Sequence, residues 1–60
     1  MRDIECEILD VLRFFGPISC REIADMLSLP RGKVYYRLND VLKEQVYRFV
    51  VDNEVLYELY

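Results

Sequence analysis

Five cations lie between residues 31 and 48: Arg31, Lys33, Arg37, Lys43 and Arg48. Only Asp40 and Glu44 oppose them there, and Tyr35, Tyr36 and Asn39 are interleaved with them. Cations, phenols and an amide in this mixture hold phosphate and hydrogen-bond to polar edges, as in a segment that enters a DNA groove. They do not break bonds. The chain has no histidine, no glycine-rich phosphate loop and no cysteine with a base beside it in sequence, so an enzyme is not expected. Nor is a cofactor or metal: a structural zinc site takes four Cys/His ligands, and Cys6 and Cys20 are the only two of that kind.

The overall charge of −3 has the wrong sign for a DNA binder. Net charge is an average, however, whereas an electrostatic footprint is local. Arg2, Arg13 and Arg21 face six carboxylates in residues 1–30, and residues 49–60 add Asp52, Glu54 and Glu58. The positive charge is therefore concentrated in the middle of the chain. The acidic remainder limits non-specific attachment, which scales with phosphate contacts.

The elements that must position these residues are legible from spacing. Sixty residues make one domain, residues 1–60, with a small core. A composition 53% hydrophobic and 32% charged is that of a folded protein. No apolar run approaches the ~20 residues of a membrane span, and "ILDVLRFF", interrupted by Asp10 and Arg13, does not read as a signal peptide, so a cytoplasmic, intracellular protein without membrane attachment is expected. Cys6 and Cys20 read as small, partly buried thiols. A disulfide between them is the alternative, closing a loop of ~15 residues.

Ile4, Ile8, Val11, Leu12 and Phe15 form one stripe of a first helix over residues 3–15, ended by Gly16-Pro17. In "ISCREI", Ser19 precedes Glu22 by three positions, a capping box, and Ile18 and Ile23 stand as a hydrophobic staple. A second helix follows to about residue 27, with Ile23, Ala24 and Leu27 inward. After the turn "SLP", Pro30 suits the first position of a third helix over residues 30–44, with Val34, Leu38 and Val41 inward and Leu42 close by. Its opposite side then exposes Gly32, Lys33, Tyr36, Asn39, Asp40 and Lys43, flanked by Arg31, Tyr35 and Arg37. Tyr35 is expected partly buried and Tyr36 exposed. Gly32 costs ~1 kcal/mol against alanine in a helix, which hints at close approach by something outside. "VYRFVV" and "VLYELY" around "DN" predict a hairpin with a two-residue turn. Val46, Arg48, Val50, Val55, Tyr57 and Leu59 share one face, and Tyr47, Phe49, Val51, Glu54, Leu56, Glu58 and Tyr60 share the other. One face should cover the helices; the other is an apolar surface of the kind that marks an interface.

Helix, short extended piece at "PIS", helix, three-residue turn, helix and hairpin: this order resembles the winged helix-turn-helix family along the whole chain. The matching residues are Ile4, Ile8, Val11, Leu12, "ISCREIADML", Leu29, Val34, Leu38, Val41 and the hairpin after Val46. The resemblance implies a mainly α fold with a C-terminal β-hairpin, in the order α-β-α-α-β-β. It implies a third helix in the major groove of double-stranded DNA, with the second crossing above it. By position, the DNA-binding residues are then Arg21, Arg31, Gly32, Lys33, Tyr35, Tyr36, Arg37, Asn39 and Lys43. Arg and Lys reach guanine or phosphate, Asn39 pairs with adenine, and the tyrosines bond phosphate or pack on thymine methyl. The family's usual Ser or Thr cap before the third helix is replaced by Pro30. The wing tip "DNE" is acidic and is not expected to clasp DNA.

The expected function is a sequence-specific transcription regulator of the small prokaryotic, archaeal or viral type. One copy with ~3–5 phosphate contacts binds weakly, so a homodimer reading half-sites ~34 Å apart is expected. Dimer contacts would come from the first helix, the hairpin or both. The alternative is a winged-helix protein–protein interaction module that does not bind DNA, using its apolar hairpin and acidic surfaces.

Overall fold

A computed structural model describes residues 3–60; Arg2, counted above in the charge balance, lies outside the described residues. The elements follow the expected order: α1 (Ile4–Phe15), β1 (Ile18–Ser19), α2 (Cys20–Leu27), α3 (Arg31–Tyr36), a π-helical turn (Arg37–Val41), β2 (Val46–Val51) and β3 (Glu54–Leu59).

Local chemistry explains the boundaries. Asp3 caps α1, its carboxylate accepting from the Cys6 N–H at 2.9 Å. Gly16 ends the helix at φ 70, ψ −146, a region open essentially to glycine alone. Ser19 Oγ accepts from the Glu22 N–H at 3.1 Å, and its hydroxyl donates to the Glu22 carboxylate at 3.3 Å. The serine half of the capping box thus forms, while the Glu22 carboxylate meets the Ser19 hydroxyl in place of its N–H. Ile18 and Ile23, the staple pair, are both buried. Ser28 closes α2 in the left-handed region at φ 57.

The hairpin register pairs Val46 with Leu59, Arg48 with Tyr57 and Val51 with Glu54. Asp52 and Asn53 both take positive φ, 52 and 65, as a two-residue turn between right-twisted strands requires. β1 joins the other edge of β3, Ile18 opposite Tyr57 and Ser19 opposite Leu56, giving the order β1-β3-β2. The core consists of Ile8, Val11, Leu12, Ile18, Ile23, Ala24, Val34, Leu38, Leu42, Val46 and Tyr57. The sheet face carrying Val46 and Tyr57 covers the helices, as expected.

Three expectations are corrected. Phe15 is 61% exposed and leaves the stripe of α1. The third helix does not run regularly to residue 44. Its ladder slips at the π turn, where the Leu42 N–H donates to Arg37 O five residues back, at 2.8 Å. The extra residue in that turn sends Leu42 inward and leaves Val41 49% exposed. Cys6 and Cys20 are free thiols, as expected, but Cys6 is exposed rather than partly buried; burial raises the pKa of the Cys20 thiol against the lowering influence of Arg31.

Candidate nucleic-acid interface

Two hollows lie between the third helix and the wing. The larger, about 650 Å³, is bounded by the start of α2 (Ser19, Cys20, Arg21), the start of α3 (Arg31, Gly32, Tyr35) and the wing (Arg48, Asn53, Glu54, Val55, Tyr57). The smaller, about 390 Å³, runs past Asn39 and Lys43 to Tyr47 and Tyr60. Arg48 and Tyr57 line both and form the saddle between them. Along the combined surface stand Arg21, Arg31, Lys43 and Arg48, opposed by the single carboxylate of Glu54. A chain of net negative charge thus carries a locally positive trough.

The saddle is tied together by side chains. Asn39 Nδ2 donates to the Tyr57 hydroxyl at 2.8 Å and to the Tyr35 carbonyl at 2.9 Å. Asn39 Oδ1 accepts from Arg48 at 3.2 Å. The Tyr57 hydroxyl, and after it that of Tyr35, lies within hydrogen-bonding reach of the Arg48 guanidinium and holds its pKa above the ordinary arginine value. Tyr57 itself is 2% exposed, so its ring is core while its hydroxyl reaches the trough.

The sequence-predicted residues separate into two groups. Arg21, Arg31, Gly32 and Tyr35 line the larger hollow, and Asn39 and Lys43 the smaller. Lys33 is exposed and lines neither. Tyr36 and Arg37 belong to the other side of the helix. Arg37 is ion-paired with Glu5 of α1, and its guanidinium also sits 5.7 Å from the centre of the Tyr36 ring. The Tyr36 hydroxyl hydrogen-bonds Asp40, whose carboxylate raises its pKa. Tyr35, expected partly buried, is 52% exposed, because it stands on the wall of the open hollow. Arg48, one of the five cations of residues 31–48, is not among the DNA-binding residues expected by position, yet it lines both hollows. The signal that could have found it is its pairing with Tyr57, which follows from the predicted hairpin register.

Among the described residues, no group of three or more His, Cys, Asp or Glu side chains is placed to hold a metal ion. No helix among them is long and apolar enough to cross a membrane.

The chain is similar to the Zalpha domain of zebrafish PKZ in its apo crystal structure, with 31% identity and a TM-score of 0.84, over 93% of this chain and 89% of that one. It is equally similar to PKZ Zalpha crystallised in complex with ds(CG)6, with 31% identity and a TM-score of 0.83, over 93% of this chain and 92% of that one. No protein-family model and no curated protein sequence matches the chain.

Proposed function

The chain belongs to the Zalpha family of winged-helix domains, and from that premise we propose that it binds double-stranded DNA of alternating CG sequence by the shape of its backbone. The carrying observation is the trough: four cations and four phenols gathered between the helix-turn-helix and the wing. The likeness to a domain held on ds(CG)6 supports the same class of duplex.

Shape is favoured over base edges because two expected base readers are engaged elsewhere. Arg37 is turned to Glu5. Asn39 commits Nδ2 to two acceptors, while pairing with adenine takes both an amide donor and the amide oxygen. Preference for CG must then come from indirect readout. The shape peculiar to alternating CG sequence is the left-handed duplex with its zigzag backbone. Arg21, Arg31, Lys33, Tyr35 and Lys43 are the phosphate-facing donors in this reading, with Gly32 giving room. Transcription regulation inside the cell, by a homodimer without enzymatic activity, is the wider role we assign to such binding.

The test is titration of a (CG)6 duplex and a mixed-sequence duplex of equal length, at two salt concentrations, followed by circular dichroism and solution mass. Tight, salt-sensitive binding to (CG)6 with inversion of its spectrum is expected. Equal binding to both duplexes without inversion overturns shape readout, and absence of binding overturns the DNA reading.

A second reading is favoured by the outer face of the hairpin. Tyr47, Val51 and Tyr60 are 38%, 45% and 80% exposed there. The Tyr47 ring lies 5.8 Å from that of Phe49 and 5.1 Å from that of Tyr60. A protein-interaction module would use this surface, and the same mass measurement reports whether a second copy occupies it.

A further inference from the structure

Asn39 stands where the third helix slips into its π turn, and it touches both walls of the trough. Its amide is half-buried, and both of its N–H groups are satisfied inside the protein. The two groups it bonds on the wing, the Tyr57 hydroxyl and the Arg48 guanidinium, both line both hollows. An arginine on an exposed strand ordinarily samples many rotamers, and immobilising it on binding costs affinity. A fixed guanidinium avoids that cost. We propose that Asn39 is a positioning residue: it reads no base, but locks Arg48 and the Tyr57 hydroxyl into one donor array that meets a DNA phosphate at the wing root.

This rests on the DNA reading above and adds to it a residue of the wing. Of the acidic tip, Asp52 lines neither hollow and Glu54 lines the larger one; the contact is made at the root of the wing. The array has spare capacity for an anion. Tyr57 receives the Asn39 N–H and keeps its own O–H to donate. The Arg48 guanidinium has five N–H donors; one is given to Asn39, and with the Tyr57 and Tyr35 hydroxyls also in reach two remain.

The experiment is a double-mutant cycle on (CG)6 affinity with Asn39→Ala, Arg48→Ala and the double variant, repeated with Tyr57→Phe in place of Asn39→Ala. Tyr57→Phe keeps the buried ring and removes only the oxygen, so the cycle stands even where Asn39→Ala fails to fold. Each single change is expected to weaken binding about tenfold, the scale of one charge-assisted hydrogen bond. Arg48→Ala is expected to lower the salt slope by about 0.9, one phosphate. The Asn39→Ala, Arg48→Ala double variant should be no weaker than Arg48→Ala alone, and the Tyr57→Phe, Arg48→Ala double variant should lose less than the sum of its two single changes. In the protein without DNA, the Arg48 side-chain N–H signal should be sharp and dispersed in wild type and collapse to the free-arginine position in both Asn39→Ala and Tyr57→Phe.

Additive losses in the cycle overturn the positioning role and leave the DNA reading intact. So does an Arg48 signal unchanged by the substitutions. A wild-type protein that does not bind (CG)6 overturns the DNA reading itself, and with it the phosphate role of the array.

Discussion

Arg37 of the third helix is ion-paired with Glu5 of the first, so a cation in the middle of the basic segment serves the contact between two helices. Arg31, six residues earlier, lines the trough. The two arginines are therefore expected to fail differently. Arg37→Ala should leave (CG)6 affinity within about twofold and cost at most ~1 kcal/mol of stability, because the pair is partly solvated. Arg31→Ala should leave the melting temperature unchanged and weaken binding about tenfold, with a shallower salt slope. Melting curves beside affinity titrations of the two variants check both halves.

Gly32 has no atom within 4 Å of the position a Cβ would occupy, so an added methyl meets nothing in the protein. Gly32→Ala is expected to stabilise the fold, by up to ~1 kcal/mol. If a backbone strand passes close to α3, the same methyl weakens DNA binding. Stability rising while affinity falls is the expected outcome; unchanged affinity would place the DNA elsewhere.

Ser19 is both the partner of Leu56 in β1 and the cap of α2. Ser19→Ala removes the hydroxyl that serves Glu22 and is expected to cost ~1 kcal/mol. For a domain of this size that lowers the melting temperature by roughly 4–8 °C. Ser19→Asp, which can also accept at a cap, should recover most of the loss.

Two tyrosines are expected to titrate late. The hydrogen bond from Tyr47 to Glu58, 2.8 Å long, raises the Tyr47 pKa, and the hydrogen bond to Asp40 raises that of Tyr36. Both folded values lie above the unfolded value of about 10. Their contribution to stability is therefore complete below about pH 10 and is lost as pH rises through the folded values. Ultraviolet absorbance titration should show the delay for Tyr47 in wild type and its loss in Glu58→Gln.

The helices and the hairpin were legible because local signals agreed with one another. The capping box at Ser19, the staple of Ile18 and Ile23, and the Asp52-Asn53 turn each point to one register, and the structure has that register. Phe15 and Val41 were misread for a shared reason. Helical spacing gives the side of the helix but not where the neighbouring element ends, and it assumes an unbroken 3.6-residue period. The π turn breaks that period at Arg37–Val41. The candidate site was legible as a segment, since the cations were counted from residue types alone. Its internal division was not. The pairing of Arg37 with Glu5 and of Asn39 with Tyr57 and Arg48 brings together residues far apart in sequence, and no spacing rule reports such contacts.

The pairing of Ile18 with Tyr57 has a consequence in time. Ile8, Ile23, Val34 and Leu38 are all made before the strand that covers them, because Tyr57 belongs to the last element in chain order. A nascent chain grows from its N-terminus, so its three helical segments wait with their apolar stripes uncovered until β3 arrives and closes a long loop. Closure of that loop is the slow, costly event of folding for a chain whose other contacts are mostly local. The hairpin thus acts as the latch of the core, and the interval before it closes is when this small protein is most open to aggregation or to capture by a chaperone.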